Sequence, residues 1–174
     1  MIRFPLGVLL VASMWAAVAG AQTSTNARPL TSAERAAATQ LSKQYNAPPQ
    51  KLAVQAPQLY ASLSRVQGEV LVITYQMPQA LADALVKAAR GGARVTVLTD
   101  QRGAPLLLPL KKAGIALYKT ASPVDQGVVV YGSTVLTGTL VNKVERQSAA
   151  YTSATTAETF RATWPTLLKI SVKL

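Results

Sequence analysis

Between Glu69 and Lys119 three short apolar runs alternate with two segments of helical spacing, and this alternation limits the fold more than any other feature. Residues 70–75 form a continuous β-branched and apolar run, which predicts a strand buried on both faces. Pro78 opens a helix in which Leu81, Ala84, Leu85, Ala88 and Ala89 recur at helical spacing, and Gly91-Gly92 closes it. Residues 94–99 read as a second strand, 105–113 as a short helix stopped by Gly114, and 115–119 as a third strand. The resulting β-α-β-α-β order has connections long enough for parallel crossovers, which are nearly always right-handed.

The pattern changes on either side of this block. Residues 128–131 and 135–139 predict a hairpin around Gly132, Ser133 and Thr134, and 148–152 one more strand. Residues 156–169 predict a closing helix with Ala157, Phe160, Trp164, Leu167 and Leu168 on its apolar side; Pro165 is expected to kink or divide it. At the other end, Arg3, the uncharged stretch 6–19 and the Ala19-Gly20-Ala21 exit predict a secretory signal over residues 1–21, hence an exported protein, periplasmic or secreted. An uncleaved membrane anchor is the alternative, although the apolar run is shorter than the roughly 20 residues a spanning helix needs. Residues 22–67 read as a polar leader and a helical extension. Thr31 and Glu34 form a capping box for an Ala-rich helix stopped by Pro48-Pro49, and a second helix runs from Pro57 to Val66 with Leu59, Leu63 and Val66 on one face. Residues 68–174 are the α/β domain.

Composition excludes several chemistries. There is no cysteine and no histidine, so a disulfide framework, a Cys or His metal site and an imidazole general base are all ruled out. Ser122, Ser133 and Ser148 therefore lack a histidine to activate them. The seven acidic residues are scattered, with no pair at i, i+3 or i, i+4, so no metal and no cofactor is expected.

Residues 70–168 resemble one repeat of the phospholipase D superfamily. The resemblance is carried by "LADALVKAARGGARVTVLTD", "PLKKAGIALY", "GVVVYGSTVLTG", Glu145 and "ETFRATWPTLL", in that order. It implies an α/β fold: a phospholipase-D-like half with a mixed, mostly parallel sheet flanked by helices, preceded here by the helical extension. In the family, His-x-Lys-x-x-x-x-Asp precedes the hairpin and Gly-Ser-x-Asn follows it. The His is the nucleophile, the Lys and Asn neutralise phosphate oxygens, and the Asp helps to hold the arrangement. By the same spacing, Val124 stands at the His position, Gln126 at the Lys, Tyr131 at the Asp and Val141 at the Asn, with Gly138 and Thr139 at Gly-Ser. Asp125 falls within this stretch, where a carboxylate repels phosphate.

The family reaction draws two imidazoles from two copies of the motif. A homodimer of this chain would supply neither, and a partner phospholipase-D-like chain only one. The resemblance thus implies a pseudoenzyme, with a divergent or partner-activated phosphodiesterase as the alternative. A structural role, with 31–66 as the partner-binding element, is a third possibility.

Lys and Arg number 18 against 7 Asp and Glu, a net charge of +11, which favours anionic partners: nucleic acid or an acidic membrane surface, bound without sequence specificity. Ligands of open α/β sheets gather beyond the carboxyl ends of the strands. Arg102 follows the second strand, Lys119 ends the third, and Lys143 and Arg146 follow the hairpin. These four are the expected ligand-binding residues of a basic cleft.

Overall fold

A computed structural model of the chain describes residues 50–52 and 54–174, together with Ser32. The expected signal segment, the leader and the Thr31–Glu34 capping box lie outside the described residues. The elements run β1 (Gln50–Lys51), α1 (Ala56–Leu63), β2 (Glu69–Ile73), α2 (Gln79–Arg90), β3 (Arg94–Thr99), α3 (Ala104–Leu107) continued by a 3-10 segment (Leu108–Ala113), β4 (Ala116–Thr120), β5 (Val128–Tyr131), β6 (Thr134–Gly138), β7 (Ser148–Thr152), α4 (Ala154–Lys169) and β8 (Ser171–Lys173).

The strands form one eight-stranded sheet in the order β1-β7-β6-β5-β2-β3-β4-β8. The β-α-β-α-β block makes its parallel part, β2 with β3 and β3 with β4. Every other pairing is antiparallel, so the α/β fold is as expected but the sheet is less parallel than the sequence suggests. The difference comes from the hairpin side of the sheet and from two short edge strands, β1 and β8, that no sequence pattern marks.

β2 is buried on both faces because helices cover both. Val70 and Val72 pack in the main core with Leu59 and Leu63 of α1 and with Leu81, Leu85 and Ala88 of α2. Leu71 turns the other way, into a cluster with Leu98 and Trp164 of α4. A strand with two apolar faces has no solvent side to mark with polar residues, hence the uninterrupted run.

Three local features follow from single residues. Pro109 carries no N–H, so the helix beginning at Ala104 gives way after Leu107 to the 3-10 segment, which ends at Gly114 in the left-handed conformation with φ 79°. Pro165 does not divide α4: the helix runs unbroken from Ala154 to Lys169, with the Ser153 hydroxyl capping its start by accepting from the Thr156 N–H at 3.2 Å. The hairpin turn is Gly132-Ser133, between the paired residues Tyr131 and Thr134.

That turn is clamped by α4. Arg161 donates to the Gly132 carbonyl, bonds Glu158 at 2.9 Å and lies 3.9 Å from Glu69. Ser153 N donates to the Ser133 carbonyl at 2.8 Å. Arg161→Ala is expected to lower stability by about 1 kcal/mol, the net value of one typical hydrogen bond, read as a lower urea midpoint at unchanged slope.

Candidate functional site

The carboxyl ends of β2, β3 and β4 lie at one end of the sheet with the start of β5 and the end of β6. The loops leaving these strands place the residues of interest. β3 delivers Asp100, which is 2% exposed. Its Oδ1 accepts the backbone N–H groups of Arg102 (2.8 Å) and Gly103 (3.0 Å), a turn closed by the aspartate's own side chain. Its Oδ2 accepts Arg102 Nε (2.8 Å), Arg102 Nη2 (2.6 Å) and the Val124 N–H (2.9 Å).

Arg102, its side chain 50% exposed, is held by several partners. Besides Asp100, its Nη2 donates to the Val124 carbonyl at 2.9 Å and lies 3.6 Å from Asp125. Its guanidinium sits 4.1 Å from the centroid of the Tyr75 ring. Burial alone would raise the Asp100 pKa; the Arg102 hydrogen bonds, followed by the N–H groups of Val124, Gly103 and Arg102, more than offset it and hold the carboxyl below its ordinary range. A guanidinium answered by two carboxylates is poorly placed to draw in phosphate.

Gly103 makes this turn possible. A Cβ there would stand 2.1 Å from Thr99 Oγ1 and 2.7 Å from the Tyr75 backbone. Gly103→Ala must push the Asp100 turn away from β2, and a loss of about 2 kcal/mol or more is expected, measured by thermal unfolding.

Val124 and Val141 are both buried at this end. Val124 is held through its backbone by Asp100 and Arg102. Val141 is fully buried in the main core, its carbonyl accepts from Thr74 Oγ1 at 2.9 Å, and it presses on Gly127, where an added Cβ would approach it to 2.8 Å. The loop carrying Val141 is pinned further by Tyr60, whose hydroxyl donates to the Leu140 carbonyl at 2.7 Å, and by Lys143 N–H on the Gln76 carbonyl at 2.9 Å. Gln126 is exposed, between Asp125 and Gly127. Tyr131 is buried on β5 near the Ser62 and Thr134 side chains, and burial raises its pKa above the ordinary phenol value.

Beyond Val141 lies a polar pair that the motif comparison passes over. Asn142 is fully buried, and neither polar atom of its amide makes a formed hydrogen bond. It lies near Glu145, whose Oε1 accepts the Gly127 N–H at 2.6 Å. Burial raises the Glu145 pKa; the Gly127 N–H and the adjacent Asn142 amide pull it back only in part.

The remaining basic residues are spread along the same end of the sheet. Lys119 is partly buried on β4, paired with Thr99 on one side and Val172 on the other. Lys143 is exposed and lines a groove with Gln76, Met77, Leu106 and Leu110, and Arg146 is exposed in the loop before β7. Four ion pairs occur among the described residues, and all involve Arg102 or Arg161. Lys111, Lys112, Lys119, Lys143 and Arg146 therefore have no carboxylate partner among the described residues. Nor do the described residues contain a cluster of three or more acidic side chains able to hold a metal ion.

This architecture is that of phospholipase-D-like proteins. Among solved structures the chain is similar to a phospholipase D family member, Nuc from Salmonella typhimurium, at 17% identity and a TM-score of 0.54, over 67% of this chain and 88% of that one. It is also similar to TrmBL2, described as an archaeal chromatin protein with a novel mode of DNA binding, at 13% identity and a TM-score of 0.53, over 82% of this chain and 63% of that one. No family model matches the sequence. No curated protein matches it either.

Proposed function

We propose that residues 68–174 are a degenerate phospholipase D repeat that binds anionic, phosphate-bearing ligands, nucleic acid or acidic lipid, without hydrolysing them. The carrying observation is the set of basic side chains at the ligand-gathering end of the sheet, Lys119, Lys143 and Arg146, which have no carboxylate partner among the described residues. Arg102 shapes the site through Nε and Nη2, which are engaged by Asp100 and the Val124 carbonyl, and its half-exposed side chain adds a positive charge at its edge. The chemistry of a phosphodiesterase is missing from the residues that line up with its motif. Val124 offers an isopropyl group where a nucleophile is needed, and Val141 is part of the core. The DNA-binding description of one structural neighbour is in keeping with this reading. Export through residues 1–21, and assembly with a second copy or a related chain, belong to the same proposal.

Binding through about four phosphate contacts is expected to weaken by roughly a hundredfold between ~50 and ~200 mM salt. Fluorescence anisotropy with a duplex DNA of arbitrary sequence, and sedimentation with acidic vesicles, read this directly. Failure to bind either at low salt would overturn the proposal.

One observation favours the alternative, a divergent phosphodiesterase: Glu145 is a partly buried carboxyl of raised pKa, beside the buried Asn142 amide. That reading requires turnover of a bis-aryl phosphate that Glu145→Gln abolishes. The non-catalytic reading expects none at any pH between about 4 and 9, the range spanning the ordinary carboxylate and thiol titrations.

A further inference from the structure

The sheet ends at β8, and no described strand lies beyond it. The two most exposed large apolar side chains among the described residues stand here: Ile170, 68% exposed at the joint between α4 and β8, and Val172, 63% exposed within β8. Val172 is paired with Lys119, and Lys173 with Tyr118. Side chains alternate along a strand, so Val172 stands on one face of the sheet beside Lys119, and Lys173 on the other beside Tyr118. The bond from the Leu174 N–H to the Leu117 carbonyl, 2.9 Å long, fixes the backbone alternation as well. It turns the N–H and C=O of Val172 toward β4 and leaves those of Ser171 and Lys173 pointing out of the sheet. An open edge of this kind is a template for one more strand.

Charge selects what can fill it. From Thr159 to Leu174 the sequence carries Arg161, Lys169 and Lys173 and no acidic residue, and β4 adds Lys119. Arg161 is paired with Glu158 and Glu69, whereas Lys119, Lys169 and Lys173 have no carboxylate partner among the described residues. A second copy would bring the same lysines and another net charge of +11, and lysines on an edge strand guard a sheet against its own copies. Nucleic acid and lipid headgroups would answer the lysines but offer no backbone to continue the ladder. We therefore infer that β8 is a docking edge for an extended segment of a partner protein in which apolar and acidic residues alternate. The apolar residues cover Val172 on one face, the acidic ones meet Lys173 on the other, and the added backbone exchanges hydrogen bonds with Lys173. This surface is separate from the anion-binding reading above, because it works through the β8 backbone and uses neither Lys143 nor Arg146.

A short fluorescent peptide alternating valine and glutamate tests this against the full chain, with a valine–lysine peptide as control and anisotropy as the reading. The first is expected to bind and the second not. In the same mixture the Lys173 amide should exchange with deuterium several-fold more slowly than in the free chain, while the Val172 amide, already bonded to β4, changes little. Lys173→Gln should weaken binding about twofold to fivefold, the value of one exposed ion pair. Lys173→Pro removes the outward N–H as well and should abolish binding. Proline is accepted on an outer edge whose N–H the fold does not use, so the thermal midpoint should hold. If that midpoint falls, the Lys173→Gln affinity and the wild-type exchange decide the matter. Equal binding of the two peptides, or binding that Lys173→Pro leaves unchanged, overturns the proposal. A Lys173 amide already protected in the free chain overturns it too. Protection that grows with protein concentration would assign the edge to a second copy, and protection independent of concentration to another segment of the same chain.

Discussion

Gly138→Ala is expected to destabilise the chain by at least about 3 kcal/mol, the largest effect of any single methyl group placed in it. Gly138 ends β6 with φ at 69°, a left-handed conformation that costs a non-glycine residue about 1–2 kcal/mol before any contact is considered. The added Cβ would stand 1.7 Å from the Gln147 carbonyl oxygen, which is backbone and cannot swing aside. Relief requires moving β6 from β7, and thus giving up the pairing of Gly138 with Ser148 and the Thr139 N–H bond to Gln147. The Gly138 carbonyl also accepts the N–H groups of Val141 and Asn142, at 2.8 and 2.9 Å, so the same change dislodges the loop that completes the candidate site. Urea unfolding followed by circular dichroism measures the loss. A midpoint like that of wild type would show that the strand end is not built as described.

Asp100→Ala ranks next, with an expected loss of about 2–3 kcal/mol, the cost of leaving buried backbone donors without their acceptor; the Arg102 side chain is 50% exposed and keeps its access to water. Three backbone N–H groups lose their acceptor, and the Arg102 guanidinium keeps only the Val124 carbonyl, the Tyr75 ring and the more distant Asp125. The segment most affected is 121–127, since Val124 is anchored to the sheet through Asp100 and Arg102. Acid should reproduce part of the effect. The Asp100 pKa is lowered in the folded chain, so its contribution is complete above the unfolded value near ~3.9 and disappears as pH falls through the folded value. Glu145 runs the other way: its raised pKa means that protonation favours the folded state as pH drops through the folded value towards the unfolded one. Stability measured against pH in wild type and Asp100→Asn separates the two, because the variant should lose less stability than wild type below about pH 4. Parallel curves would sink the assignment.

The elements that sequence reveals well are those whose pattern is local. β3 and β5 begin and end where β-branched runs place them, because side-chain burial sets their limits. The edge strands β1 and β8 are short, and most of their residues are exposed; they exist through backbone pairing with β7 and β4, which no local pattern encodes. Pro165 misleads for a related reason: at an exposed position late in α4 the lost N–H bond is tolerated, since Trp164 and its neighbours still pack on the sheet. At the site, the Asp-x-Arg-Gly order of residues 100–103 is a turn signal that can be read directly. The third member of the cage, Val124, is 24 residues further on and only the folded chain brings it there. Asn142 left no signal at all, being one place beyond the position that the motif comparison singles out.

The middle strand of the sheet has one further consequence. β2 finds its partner β3 soon after it is made, but its other edge pairs with β5, so Val70 must wait for Tyr131. During synthesis a valine-rich ribbon thus stands with one side open until the hairpin has emerged. Non-local closure of this kind is slow, and an unguarded apolar edge invites pairing with other nascent chains. The hazard for this protein is concentrated in that interval of its making, and a chaperone that shields extended segments would be of most use to it then.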